Sequence, residues 1–385
     1  MSNPSSRRRR RWLLALYVAG VLIATWQRGV NANDHSTFSI FRQSFIHLAH
    51  HDNLYASYPA EQGRHPVHRF KYSPSAAMLF APLSAVPLPF ALLCWNALNV
   101  GLLILAVTRL LPSHRANLAL LLLAPEVFVA IQSSSSNALV TALIILGAMA
   151  FWDGRLRTGA IAVTTGTAIK IFPLGTLVFA LMRPKRAASL LAVCVPALLL
   201  AALPLLVVHP SELLQQYRWW AVIEQGDAQD LKFGLSLMRQ FREWWQVTWA
   251  NWVVQLVGTL AFLTPVALRR DRWSDATFRL NLLCSLLIFV TLFNHQAERQ
   301  SFVVAASGLA IWFVSSRITL ERSVLVALAI IGVPTVPYLV AWLVLQLELL
   351  TGGPALASAS AGSEDDVPSR ILPPRKIREP YSRAS

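Results

Sequence analysis

Long apolar runs, bounded again and again by Arg and Lys, constrain this chain more than any other feature. A helix needs about 20 mostly apolar residues to cross the hydrocarbon core of a bilayer. Inside lipid, only helices and closed barrels satisfy all of their own backbone hydrogen bonds. Runs of that kind recur through residues 12–350. The chain is 55% hydrophobic and only 14% charged, well below the share of charge usual in a soluble domain. That balance excludes a disordered protein, a secreted disulfide scaffold and an ordinary cytosolic enzyme. A net charge of +15 with 13 Trp would also suit a nucleic-acid binder. The apolar runs decide for the membrane, with Arg and Lys marking its cytoplasmic side, and no nucleic-acid partner is expected. Cys94, Cys194 and Cys284 each sit in an apolar run and read as small buried thiols without metal-ligand spacing.

The expected architecture is an all-α polytopic integral membrane protein with roughly ten membrane helices, some re-entrant or broken. Residues 1–11 form a basic cytoplasmic N-terminus, because Arg7 to Arg11 hold that end inside. Residues 12–350 form the multispan domain, and the 351–385 tail, rich in Pro, Ser, Ala and charge, is expected to be disordered. After a first span over 12–26, residues 28–73 read as a polar, His-rich outer loop. Pro82 and Pro87 interrupt 75–88, which suits an interfacial or re-entrant piece rather than a clean span. The 90–111 run returns to the cytoplasm, and 116–131 and 137–152 make two short helices around a Gln132-to-Asn137 apex.

The 159–182 stretch has basic residues on both flanks, with Lys170 and Pro173 between them. One crossing would break the positive-inside rule, so a re-entrant hairpin with Lys170 at its tip is expected. Residues 187–208, 247–268, 278–293 and 302–316 read as further crossings, with 209–246 as a second outer loop. Pro334 and Pro337 leave the number of crossings in 323–350 open, and with it the side of the tail.

An ionisable group at membrane depth is costly and marks function by default. Lys170 is the clearest case. A buried ammonium needs an anion, and a lipid phosphate, a pairing with Glu126 or snorkelling to the surface would each answer that need. Arg69 and Lys71, two positions apart, could hold phosphate at the outer interface. Asp34 follows the first span, where partial desolvation raises a carboxylate toward a useful base. His295 and Glu298 occupy a short outer turn, Asp52 lies in the first loop, and Gln132 and Asn137 offer amides suited to sugar hydroxyls. No carboxylate cluster would cage a metal and no cofactor is expected, while dependence on a divalent ion is left open by the sequence.

A series of motifs runs in order along the chain: Ile40-Phe41-Arg42-Gln43-Ser44-Phe45, Asp52-Asn53-Leu54-Tyr55, Lys71-Tyr72-Ser73-Pro74 and Trp95-Asn96-Ala97-Leu98-Asn99. Ser136-Asn137-Ala138-Leu139, Lys170-Ile171-Phe172-Pro173, Gly234-Leu235-Ser236 and Phe293-Asn294-His295-Gln296-Ala297-Glu298 follow. Over about residues 12–320 this series resembles the membrane glycosyltransferases of family 87. The resemblance implies the class C membrane glycosyltransferase fold and an all-α bundle. It also implies transfer of a mannose- or arabinofuranose-like sugar from a polyprenyl-phosphate donor. The acceptor would be a glycolipid or cell-envelope glycan at the outer face of the cell (inner) membrane. An essential Asp in the first outer loop is best matched by Asp34, with Asp52 and Glu298 as alternatives for the base. Lys170, Arg69 and Lys71 would hold the donor phosphate, and His295 would position phosphate or acceptor. Gln132, Asn137, Asp52 and Tyr72 would serve sugar or acceptor. A transporter or lipid flippase is the rival reading, since broken helices suit transporters too, although no convincing inverted repeat relates the halves. A non-catalytic scaffold is the third.

Overall fold

The computed structural model describes residues 4–31, 36–58, 69–227, 234–331 and 335–352. Among these residues it holds 17 α-helices and no strand. Helix α1 (Pro4–Thr25) carries the Arg run near its start and passes into a π-helical turn, Trp26–Asn31. The 28–73 segment, expected as a loop, contains a helix: α2 (Ser36–Ala49) buries Phe38, Phe41 and Leu48. Those residues, three and seven apart, make one helical face that the polar residues around them obscure in the sequence. Two helices too short to cross follow, α3 (Pro74–Leu79) and α4 (Ala81–Ser84), each with Pro in its first two positions, where a missing N–H costs nothing.

Next come α5 (Leu88–Leu110), α6 (Ser113–Gln132) and α7 (Asn137–Trp152). The turn between α6 and α7 is tight enough to put Ser134 at φ +50°. Helix α5 holds it from below, with Trp95 Nε1 donating to the Ser134 carbonyl at 2.9 Å and Asn99 Oδ1 accepting from the Leu139 N–H at 2.9 Å.

The expected hairpin forms from α8 (Leu156–Ile169), a 3₁₀ turn (Phe172–Thr176) and α9 (Leu177–Leu181). Its two ends return to one place, where the Arg183 guanidinium donates to the Phe151 carbonyl at the start of the hairpin. At its tip the arms close to contact: a Cβ on Gly166 would lie 2.6 Å from Pro173 Cγ. Lys170 breaks the helix there in an extended conformation, φ −148° and ψ 146°.

Helix α10 (Arg186–Ala202) turns Leu190, Leu191, Val195, Leu198 and Leu199 outward. An apolar helix that buries so little of itself in protein is at home against lipid. The 209–246 segment, expected as a loop, contains two helices among its described residues, α11 (Pro210–Asp227) and α12 (Leu237–Trp245), the latter capped by the Ser236 hydroxyl accepting from the Arg239 N–H at 3.3 Å. Then follow α13 (Asn251–Leu268), α14 (Ala276–Leu292) and α15 (Phe302–Ser315). Every residue of α15 is buried, as expected of a helix apolar on all sides at the centre of a bundle. The ambiguous 323–350 region is a pair, α16 (Leu320–Ile331) and α17 (Thr335–Thr351). Arg322, at the start of α16, bonds Glu348, near the end of α17, so the two run antiparallel. Of the 351–385 tail expected to be disordered, Thr351 is instead the last residue of α17, and 353–385 lie outside the described residues.

Among the described residues, five helices are long and apolar enough to cross a membrane, and the protein is polytopic. Their ends sort by charge. Tyr17 of α1 bonds the Leu120 carbonyl of α6 at 2.7 Å and Gln27 meets Gln132 at 2.6 Å, so α1 runs parallel to α6 with its Arg end beside Ser113. Arg183, Arg186, Arg269 and Arg272 gather at that same basic end of the bundle. Arg186 lies over the Trp273 ring, and Arg269 donates to the Leu350 carbonyl. One expectation about the thiols fails: Cys94 and Cys194 lie exposed on the outside of the bundle, and only Cys284 is buried. An outward thiol is as small and apolar as the lipid-facing side chains around it.

The α14–α15 contact yields a test. A Cβ on Gly308 would lie 2.5 Å from the Cys284 carbonyl oxygen, a backbone atom that cannot step aside. Gly308→Ala is expected to destabilise the protein by about 1–3 kcal/mol through overpacking. Gly101→Ala, where nothing lies within 4 Å, should be neutral or stabilising by up to about 1 kcal/mol. Thermal unfolding of the two variants in detergent checks the opposite signs.

Candidate functional site

At the end of the bundle away from the Arg clusters lies a cavity of about 140 Å³. Five separate pieces of chain line it. Helix α2 supplies Thr37, Ile40 and Phe41; the 69–72 segment supplies Arg69, Lys71 and Tyr72; the α6–α7 turn supplies Ser135, Ser136 and Asn137. The hairpin tip supplies Lys170, and the segment between α14 and α15 supplies Gln296, Glu298, Gln300 and Ser301.

Asn137 joins three of these pieces. It is fully buried at the first residue of α7, and its Oδ1 accepts from Lys170 Nζ at 2.8 Å. Its Nδ2 donates to the Gln300 carbonyl at 2.9 Å and to Ser135 Oγ at 3.3 Å. The Lys170 ammonium also stands 5.6 Å from the centroid of the Phe172 ring. Beside it, the buried Ser136 hydroxyl has no protein partner and faces the demand that buried polar groups be paired. The 69–73 segment is fastened through its backbone. Trp220 Nε1 donates to the Lys71 carbonyl at 3.1 Å, Tyr55 Oη to the Tyr72 carbonyl at 2.9 Å, and Ser73 Oγ to the Ala168 carbonyl of the hairpin at 3.0 Å. The Tyr72 ring packs 4.9 Å from that of Phe41, and burial pushes its hydroxyl well above the ordinary tyrosine range, with Glu298 and Glu224 adding to the shift. Tyr72 therefore remains a neutral hydroxyl.

Glu298 caps the short 3₁₀ turn Arg299–Ser301, exchanging hydrogen bonds with Ser301 in a capping box, and accepts from Gln300 Nε2. Beneath this turn Glu126 of α6, buried to 2% exposure, accepts both terminal nitrogens of Arg299, with Nη2 to Oε1 at 2.7 Å. That fork meets the need of a carboxylate deep in the bundle. It also corrects a pairing considered from the sequence: Glu126 serves Arg299 rather than Lys170.

Of the residues singled out in the sequence, Lys170, Arg69, Lys71, Tyr72, Asn137 and Glu298 meet at this cavity. Gln132 stands apart, donating to Gln27 Oε1 at 2.6 Å and accepting from Arg28 Nε at 3.3 Å. Asp52 lies 3.4 Å from His47 Nδ1, and His295 faces Gln255 of α13 at 3.3 Å; neither lines the cavity. Asp34 lies outside the described residues, three positions before the lining residue Thr37. Gln296 and Gln300 were missed as lining residues. Their sequence signal was the alternation of Gln296, Glu298 and Gln300 at every second position.

Among the described residues, three cations against one carboxylate make a cavity suited to an anion such as a phosphate. The surrounding amides and hydroxyls suit the hydroxyl groups of a sugar. Among the described residues, no three His, Cys, Asp or Glu come together to hold a metal.

The family model of glycosyltransferase family 87 matches residues 70–294, more than half of the chain. The match includes Lys71, Tyr72, Asn137 and Lys170, whereas Asp34, Arg69, His295 and Glu298 fall beyond it. No curated protein and no solved structure matches.

The ion pair under the turn gives a prediction. Arg299→Met leaves the Glu126 carboxylate buried without its partner and is expected to cost about 3 kcal/mol of stability. Adding Glu126→Leu should recover most of that loss, since an apolar pair of similar volume removes the stranded charge. Unfolding midpoints of the single and double variants measure the recovery.

Proposed function

The chain belongs to glycosyltransferase family 87 and is a membrane glycosyltransferase, and from that premise we propose that it takes a sugar from a polyprenyl phosphate and gives it to a glycolipid or cell-envelope glycan. Membership favours this reading over a transporter, a flippase or a scaffold. The observation that carries it is the cavity in which Arg69, Lys71 and Lys170 face Glu298 among amides and hydroxyls. A lipid-linked phosphate is already an adequate leaving group, so what the protein must supply is a base and a cationic hold on the departing charge.

In this mechanism the acceptor oxygen attacks the anomeric carbon while the bond from that carbon to the phosphate oxygen breaks. The polyprenyl phosphate leaves with the bonding pair, held by Lys170, Arg69 and Lys71. The acceptor proton passes to a carboxylate, for which we propose Asp34. Glu298, the carboxylate that lines the cavity, holds the acceptor or sugar hydroxyls together with Asn137 and Tyr72. A single displacement inverts the anomeric centre, by the geometry that separates inverting from retaining glycosidases. The basic end of the bundle is cytoplasmic by the positive-inside rule, which puts the cavity at the outer face of a cell membrane and the start of the tail, beside Arg272, inside.

The test is transfer from radiolabelled polyprenyl-phosphate sugars in proteoliposomes, with a cell-envelope lipid extract as acceptor. Asp34→Asn is expected to lower the rate by about 10²-fold or more, the scale of a lost general base, and Lys170→Met by about 10²–10³-fold through lost charge stabilisation. Full activity in Asp34→Asn with a dead Glu298→Gln would move the base to Glu298. An inactive wild type that still binds donor would sink the transferase assignment to this cavity. The orientation has its own check. With Cys94 and Cys194 replaced by Ser, Gln296→Cys should react with a membrane-impermeant maleimide on intact cells, and Ser274→Cys only after permeabilisation.

A further inference from the structure

A second cavity, of about 360 Å³, opens at the basic end of the bundle. It lies at the far end of α7 from Asn137, whose 16 residues span about 24 Å. Among the described residues, Trp152, Arg183, Arg270, Trp273, Ser274 and Arg279 line it, and no carboxylate does. The acids close by have arginine partners outside the lining, Asp153 with Arg155 at 2.7 Å, Asp275 with Arg272 at 2.8 Å and Asp271 with Arg269 at 3.2 Å, while the charges of Asp275 and Asp153 also act on Arg279. Three guanidinium groups line one space, and no carboxylate among the described residues enters that lining.

Two of these cations are set in place by the fold. Arg183 is fastened by the Phe151 carbonyl and backs against Gly154, where a Cβ would stand 3.3 Å from its Nη2. Arg279 stands 5.9 Å from the centroid of the Trp152 ring. Trp152 adds a buried indole N–H with no protein acceptor, a group that costs free energy until something accepts from it. Exposed apolar side chains lie close in sequence to the lining: Leu181 precedes Met182, and Leu268 stands two positions before Arg270.

We propose that this cavity binds the phosphate of an anionic phospholipid headgroup, its acyl chains lying along the apolar flank beside Leu181 and Leu268. Planar guanidinium forks match phosphate oxygens bidentately. Basic pockets between membrane helices on the cytoplasmic side are built to take such headgroups. The site is distinct from the transfer cavity and does not depend on the reaction assigned to it. Inorganic phosphate presents the same oxygens, so the experiment separates the two sources.

Full-length protein purified in detergent is mixed with phosphatidylglycerol or phosphatidylcholine and observed by native mass spectrometry, with inorganic phosphate tested in parallel by thermal shift. Wild type is expected to retain phosphatidylglycerol and not phosphatidylcholine. Arg183→Gln/Arg279→Gln should lower that retention by about tenfold, as the loss of about 1.4 kcal/mol of binding requires. Arg270→Gln, a change at an exposed side chain, should lower it as well and decides the matter if the double variant does not fold. Arg109→Gln, at the same end of the bundle and outside the cavity, should leave retention unchanged. Stabilisation of wild type by inorganic phosphate, lost in the variants and without lipid retention, would reassign the cavity to a soluble phosphate and overturn the lipid. Equal retention in wild type and variants, or an equal loss in Arg109→Gln, would overturn the site altogether.

Discussion

The side-chain amide of Asn137 draws together three parts of the chain that no local interaction would bring into contact. Its oxygen receives the Lys170 ammonium from the hairpin tip, and its nitrogen reaches the Gln300 carbonyl on the far side of the cavity. The constraint behind this arrangement is general: in a bundle set in lipid, water is not at hand for a broken helix or a buried charge. Lys170 ends α8 in an extended conformation, so a polar break sits inside an apolar assembly, and its charge must find a partner in the protein. Asn137 is neutral and cannot cancel that charge. It positions the ammonium and leaves its electrostatic demand to the cavity, which is the condition a phosphate-binding lysine has to meet.

The Glu126–Arg299 pair plays the complementary part below the turn. It satisfies a carboxylate that the bundle buries almost completely, and it anchors the chain on which Glu298 and Gln300 stand. One ionisable pair is thus closed off and structural, while three cations and a carboxylate a few residues away remain around an open space. A census of charged residues would not separate the two roles; the partner of each charge does. At the other end of the bundle the same distinction holds. Asp153, Asp271 and Asp275 each hold an arginine outside the lining, and Arg183, Arg270 and Arg279 line a cavity.

Much of this was legible in the sequence because it follows from one-dimensional rules. Apolar length marks a span, and basic flanks on both sides of 159–182 imply a chain that enters and leaves by the same side, as α8 and α9 do. The helices in 28–73 and 209–246 were harder to read. Their buried faces are short and interleaved with polar and charged residues, so Phe38, Phe41 and Leu48 of α2 read as isolated apolar residues until α3 to α5 cover them. Gln132 misled for the opposite reason. It sits beside the Ser-Asn turn in the sequence, yet a helix end rotates its side chains by about 100° per residue, and Gln132 faces α1 while Asn137, beyond the turn, faces the hairpin.

The sequence by itself determined that this is a helical membrane protein, which ends of its helices carry positive charge, where the hairpin turns, and that its motifs resemble those of one family of transferases. All of that depends on composition and spacing along the chain, which tertiary contacts do not alter. Only the tertiary structure decided that Lys170 faces Asn137 rather than Glu126, that Glu298 looks into the cavity while His295 looks away, and that three arginines at the opposite end share a space without a carboxylate. Those outcomes turn on which partner a buried polar group reaches first, and the partners lie up to 173 positions apart in the chain.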